Sequence, residues 1–234
     1  MLRKLMCILT LFVSSFILAQ DLSLDELERR DSIRVYDLKY REDQFYAAIT
    51  HSMLQEKPAG FSPRTFSQGL HLGFLRDFPV NKKRTLAIAP GVGYSYFILH
   101  NNLVALNDRP GEFAILGSYK RNAQHLHYFD IPIELRWRTS TPESHKFWRV
   151  YLGFKASYLI SNKLKTSSED YGTYTLNDNS VFNKWTYSMY LSAGFNTWNV
   201  YLSYGLNSIY KQNLFENDTN KLRYFNAGLI FYIL

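Results

Sequence analysis

The sequence predicts an all-β fold: an eight-stranded antiparallel up-and-down transmembrane β-barrel with a short N-terminal periplasmic segment. Three observations carry this expectation. From residue 44 onward, runs of alternating apolar and polar residues follow one another to the end of the chain. Most of these runs reach the roughly 9–11 residues that a spanning strand needs, whereas strands of soluble proteins average about five or six. The connections between them alternate long and short, as in a barrel inserted from one side. Composition agrees, because 18 Tyr, 17 Phe and 4 Trp make up 17% of the 234 residues, and membrane barrels gather aromatics at both interfaces.

The chain opens with MLRKLMCILTLFVSSFILA, residues 1–19, which has the form of a signal peptide. Arg3 and Lys4 make the basic start, Leu5 to Leu18 the apolar stretch and Ala19 the small residue before the cut. That stretch is 14 residues long, short of the roughly 20 that a spanning helix requires. Cys7 lies within it, so the exported chain is expected to have no cysteine, no disulfide and no thiolate metal site.

Residues 20–43 form a charged leader with helical text. In LSLDELERR, Ser23 and Glu26 have the spacing of a capping box, and Leu24 and Leu27 make a thin apolar stripe. The leader is either a solvated spacer or a docking element for a partner. Formal net charge is +7, or +5 once Arg3 and Lys4 are removed (7 − 2). The basic residues are scattered rather than gathered on one helix face, which excludes nucleic acid as the expected partner.

The strands follow in order. QFYAAITHSML (44–54) opens the barrel. In 66–78, Leu70, Leu72 and Phe74 share one face and His71 and Gly73 the other. In 85–100, Leu86, Ile88, Val92, Tyr94 and Tyr96 oppose a face of small residues: Ala87, Ala89, Gly91, Gly93 and Ser95. In 125–138, Phe129, Ile131, Ile133, Leu135 and Trp137 oppose Tyr128, Asp130, Glu134, Arg136 and Arg138. In 148–160, Trp148, Val150, Leu152, Phe154, Ala156, Tyr158 and Ile160 oppose a set containing Arg149 and Lys155. Strands 185–196 and 199–210 repeat the alternation, and 223–234 closes the chain without a clear assignment of faces.

Connections 79–84, 139–146 and 197–198 are short turn text, whereas 101–124 and 161–184 are long and polar. This parity turns the apolar faces toward lipid. Eight strands leave a lumen that side chains nearly fill, so no wide diffusion pore is expected. Pro90 and Pro132 fall within strands, where each removes a ladder donor, and a bulge is expected at each.

The strongest polar constellation then lies inside the barrel: Asp130, Glu134, Arg136 and Arg138 on one strand, Arg149 and Lys155 on the next. Charges in a narrow lumen must pair. They form either a structural plug of ion pairs or a relay or ligand site. His51, His71, His100, His125 and His127 are the candidates for acid–base or metal chemistry. Alternation sets His125 and His127 opposite Asp130, against one shared metal site, and no recognisable triad accompanies any of the five. Gly91-Val92-Gly93 is no phosphate loop, since no helix follows. No catalytic residue, cofactor or small-molecule substrate is predicted.

The phrases LGFLRDFP (72–79), IAPGVGYS (88–95) and FDIPIELRWR (129–138) resemble the PorT family of Bacteroidota. Those are small outer-membrane barrels associated with the type IX secretion system. The resemblance runs from about residue 40 to the C-terminus. It implies a non-enzymatic component of protein export, and of gliding motility in gliding species, whose partners are outer-membrane lipid and other secretion proteins. It brings no catalytic residues with it. The alternative is a general small barrel of structural or adhesive type, or a lipid-modifying enzyme.

Overall fold

The computed structural model describes residues 43–63, 66–106, 112–139, 148–177, 181–211 and 221–233. The signal peptide and leader expected from the sequence, apart from Asp43, lie outside the described residues. Among the described residues there is no helix, and twelve strands run in chain order. They are β1 (Gln44–Gln55), β2 (Gln68–Leu75), β3 (Phe78–Pro79), β4 (Leu86–His100), β5 (Leu103–Ala105), β6 (Phe113–Ile115), β7 (Arg121–Arg138), β8 (Trp148–Ser168), β9 (Gly172–Leu176), β10 (Trp185–Phe195), β11 (Trp198–Gly205) and β12 (Arg223–Ile233).

Eight of these strands close a ring in which every neighbour is antiparallel. The order is β1, β2, β4, β7, β8, β10, β11, β12, and β12 returns to β1 through pairs from Phe45–Ile233 to Gln55–Arg223. The predicted eight-stranded up-and-down barrel is thus the observed fold. Closure leaves no ring edge unpaired, which is the condition for strands to cross a lipid bilayer. The remaining strands are short. β3 continues the line of β2 against β4, β5 and β6 pair with each other, and β9 pairs with the far part of β8.

The barrel is apolar outside and polar inside. Phe45, Ile49, Ile131, Ile133, Leu152, Phe154, Met189, Leu191 and Val200 are exposed on its outer face, while Asp130, Glu134, Arg136, Arg138, Arg149 and Lys155 are buried in its lumen. In water this arrangement would be costly; in lipid it is the arrangement that satisfies both faces. On β12, whose faces the sequence left open, Tyr224, Asn226, Ile230 and Tyr232 turn inward and Leu229 and Ile233 outward.

Two aromatic girdles bound the apolar band. At the short-turn end stand Trp137, Trp148, Phe195 and Trp198, with Trp148 and Phe195 in ring contact at 5.4 Å. At the long-loop end stand Tyr94, Phe129, Tyr158, Trp185 and Tyr187, with Tyr158 edge-on to Trp185 at 5.1 Å. Trp148 and Tyr158 are ten residues apart on β8, as are Trp185 and Phe195 on β10. At about 3.3 Å per residue and a tilt of about 40°, ten residues rise about 25 Å, the height of the apolar band of an outer-membrane barrel.

Three expectations need correction. No bulge forms at Pro90 or Pro132. The β4–β7 register is the same at Pro90–Ile133 and at Gly93–Asp130, so no residue is inserted between them. Pro90 lies opposite the break between β2 and β3, where its carbonyl accepts the Arg76 amide at 2.9 Å. At Pro132 the ladder to β4 omits pairs while the pairing with Lys155 of β8 continues. A proline removes one donor facing one neighbour, and a skipped rung accommodates that without an extra residue.

The second correction concerns length. β7 begins at Arg121 and β8 runs to Ser168, well past the predicted limits of 125 and 160. The barrel's one described register shift sits between His127 and Tyr128, opposite Leu159, Ile160 and Ser161. Ile160 is the extra residue. After it the alternation reverses phase, and the strand continues where the sequence pattern breaks off.

The third correction is that β11 ends at Gly205, not at residue 210. Asn207 takes over the ladder, accepting the Tyr187 amide at 2.7 Å and donating to the Trp185 carbonyl at 2.9 Å. Ile209 and Tyr210 then turn into the lumen mouth.

Candidate functional site: the lumen plug

All six charged residues singled out in the sequence face the lumen. They do not form one cluster but two, separated along the barrel axis.

The first occupies the short-turn end. Arg136 Nε donates to Glu134 Oε2 at 2.8 Å, and its Nη1 reaches Asp77 Oδ1 at 3.2 Å. Arg138 grips the same Asp77 with both terminal nitrogens, at 3.1 Å to Oδ1 and 2.8 Å to Oδ2. Its Nε donates to the Arg84 carbonyl at 3.1 Å, tying the turn after β3 to the plug. The other oxygen of Glu134 accepts the hydroxyls of Tyr190 at 2.9 Å and Tyr232 at 3.2 Å. Arg136 lies over the Tyr151 ring at 5.0 Å, and Arg149 stacks near Tyr232 at 5.6 Å. Paired guanidinium and carboxylate groups, each with further hydrogen bonds, are the form in which such charges tolerate burial.

The second cluster sits at mid-barrel around Asp130. Lys155 Nζ lies 3.3 Å from Asp130 Oδ2, and Ser157 donates to Oδ1 at 2.5 Å. Ser95 also donates to Asp130. With that hydroxyl committed, Nδ1 of His71, 2.7 Å from Ser95 Oγ, is the donor there, and Nε2 faces the Thr50 hydroxyl at 3.1 Å. A histidine, a serine and an aspartate are therefore in one chain of hydrogen bonds. Their order is wrong for a nucleophile triad, in which the imidazole stands between the hydroxyl and the carboxylate. Here the serine stands in the middle, and all three side chains are buried within the lumen.

The lumen is closed at both levels. The cavity beside His71, Glu134, Lys155 and Tyr190 measures about 10 Å³, and the one beside Lys155, Ser157 and Tyr224 about 20 Å³. These hold about one water each. Toward the long loops an aromatic cap follows: Phe97 stacks on Tyr224 at 4.8 Å, and Phe182 packs on Tyr210 at 4.8 Å. Tyr210 donates to Gln124 at 3.2 Å, and Asn183 donates to the carbonyls of Ser208 and Tyr210, so segments 181–183 and 206–210 are drawn down over the mouth.

The histidines separate. His71 is in the lumen. His125 and His127 face outward, as alternation required, and receive Tyr96 and Tyr94 at 2.6 and 2.5 Å. His51 stacks on Phe66 at 4.2 Å. Among the described residues no group of His, Cys, Asp or Glu could hold a metal ion. Asp77 is the member that sequence reasoning missed, although parity with His71, Gly73 and Leu75 places it on the inner face. The inward tyrosines 46, 190, 201 and 232 were missed as well, whereas Tyr151, which alternation sets on the face of Arg149 and Lys155, lies there.

The family described as outer membrane protein beta-barrel domain matches residues 19–211 of the chain. Among solved structures, Ail, the attachment invasion locus protein of Yersinia pestis, crystallised with the heparin analogue sucrose octasulfate, is similar at 12% identity and a TM-score of 0.39. That alignment covers 82% of this chain and 97% of Ail. No curated protein matches the chain.

Proposed function

The chain belongs to the outer membrane protein beta-barrel domain family, and from that premise we propose that it is a non-conducting, non-enzymatic accessory of protein export across the outer membrane, in the type IX system of the PorT family it resembles. The observation that carries this reading is the filled lumen. A barrel whose cavities at the two charge clusters hold about one water each passes no polypeptide there, so any part in export is played by its outer surface, its long-loop end or its leader.

The three phrases that carry the resemblance are also the ones that build the plug. LGFLRDFP contains Asp77, IAPGVGYS contains Ser95, and FDIPIELRWR contains Asp130, Glu134, Arg136 and Arg138. The shared text is the text of a sealed barrel. Burial of the His71, Ser95 and Asp130 chain supports a non-enzymatic role, since no substrate reaches it.

Deletion of the gene followed by comparison of the secreted proteins tests the proposal. The expected result is type IX cargo retained in the periplasm while other outer-membrane proteins assemble normally, together with no stable large conductance from the purified barrel in planar bilayers. Normal export in the deletion strain overturns it. The second reading, a structural or adhesive barrel, is favoured by β7 and β8, whose 18 and 21 residues carry them beyond the ring at the long-loop end.

A further inference from the structure

We propose that the outward face of β7 and β8, just beyond the girdle at the long-loop end, binds the phosphorylated headgroup of an anionic lipid of the outer leaflet. Lys163 and Lys165 are the principal contacts, flanked by Lys184, His125 and His127. The proposal rests on the outer-membrane location, not on a part in secretion.

The bulge is the first argument. Strict alternation from Trp148 would send Lys163 and Lys165 into the lumen alongside Lys155. Ile160 reverses the phase: Asn162, Leu164 and Thr166 are buried on the inner side, Lys163 is exposed and Lys165 half-exposed on the outer side. Bulges re-aim side chains in this way. The inner positions so exchanged are useful ones, with Thr166 donating to Asn122 at 2.9 Å and Leu164 packing against Val104 and Leu116.

Depth is the second. Lys163 pairs across the ladder with His125, two residues beyond His127. Counted without the bulged residue, it stands four residues above Tyr158 of the girdle. At about 3.3 Å per residue and a tilt of about 40° that is roughly 10 Å above the girdle, at the level of headgroups. Lysine stems lie along apolar surface and lift their ammonium groups to this level.

Charge is the third. Lys184 is exposed, immediately precedes Trp185 of the girdle, and its carbonyl accepts the Leu159 amide at 2.8 Å. Among the described residues, Lys163, Lys165 and Lys184 have no carboxylate partner. The acids next along the chain, Glu169 and Asp170, sit in the turn between β8 and β9, at the far tip. Tyr94 and Tyr96 engage the Nδ1 atoms of His127 and His125. Uncompensated cations at headgroup depth, beside imidazoles held by tyrosines, complement phosphate.

The test uses the full chain folded in a zwitterionic detergent. It is titrated with fluorescent lipid A, with the dephosphorylated form of the same glycolipid, and with inorganic phosphate as competitor. The expected result is saturable binding of the phosphorylated lipid alone, unmoved by inorganic phosphate. Removing both charges in Lys163→Ala/Lys165→Ala should weaken it about thirtyfold. The double variant Lys82→Ala/Lys83→Ala, with the same charge loss in the opposite turn, should bind as the parent does. Lys163→Gln, a change at an exposed side chain, serves if the double variant fails to fold, and should weaken binding about fivefold. Equal binding of the dephosphorylated lipid, equal loss in both double variants, or full competition by inorganic phosphate overturns the proposal.

Discussion

Asp77 and Arg138 face each other in a two-point clasp, 2.8 and 3.1 Å, across 61 positions of sequence and with both side chains wholly buried. Asp77 also receives Arg136, so one carboxylate serves two guanidinium groups. Asp77→Asn should leave two buried cations under-compensated, at a cost of about 3–5 kcal/mol. Urea unfolding of the barrel in lipid vesicles, followed by tryptophan fluorescence, measures it. Adding Arg138→Gln should recover part of the loss, because the two changes act on one interaction. An unshifted midpoint in Asp77→Asn counts against the plug as a source of stability.

Glu134 gives a related prediction with a functional arm. Glu134→Gln keeps an acceptor for Tyr190 and Tyr232 but removes the charge facing Arg136. Stability should fall, and Glu134→Gln with Arg136→Gln should restore much of it. A Glu134→Gln protein of full stability that no longer supports export would instead make the lumen a functional relay.

Gly153 leaves the space that the Tyr190 ring fills; a Cβ there would overlap that ring. Gly153→Val should push Tyr190 off Glu134, and overpacking of this kind costs about 1–3 kcal/mol. The measurement is the same urea midpoint. Restoration by adding Tyr190→Ser would show that the clash, rather than the strand, is at fault.

On the outer face, Phe154→Arg and Leu191→Arg put a cation near mid-membrane and should each cost about 2–4 kcal/mol. Lys155→Ala, one residue away but facing the lumen, should still insert and only lose stability through Asp130. Heat-modifiable migration after refolding into lipid separates the two outcomes, and the same behaviour in all three variants would refute the assignment of faces.

For orientation, an epitope in the turn at Gly172 should be reachable by antibody on whole cells, and one in the turn at Lys83 only after permeabilisation. The opposite labelling would reverse the direction of insertion.

Much of this was legible beforehand. Alternation at Trp148 to Ile160 and at Phe129 to Arg138 put Asp130, Glu134, Arg136, Arg138, Arg149 and Lys155 on the inner face where they lie, because a period of two leaves a residue only two directions. What escaped was where the period breaks. Ile160 looks like the end of a strand from sequence, since a phase reversal and a strand end erase the pattern alike. Asp77 escaped although it falls within the strand read over 66–78, because the faces of that strand were assigned only as far as Phe74. Leu206 to Tyr210 were read as strand on apolar spacing, but Asn207 supplies side-chain hydrogen bonds that imitate a rung and release the backbone. Pairings between distant charges, such as Asp77 with Arg138, depend on which strands become neighbours across the lumen, and no local pattern encodes that.

The seam between β1 and β12 joins Phe45 to Ile233, almost the full span of the barrel sequence. Every other rung of the ring can form as its hairpin emerges, but this one waits for the last strand. Until then β1 and β11 each present an open edge, the kind that recruits foreign strands, and slow long-range pairing prolongs that exposure. A chain halted before residue 223 cannot complete the ring at all. Ring closure is thus all-or-nothing with respect to the C-terminal strand, and the edge of β1 stays open until β12 arrives to meet it.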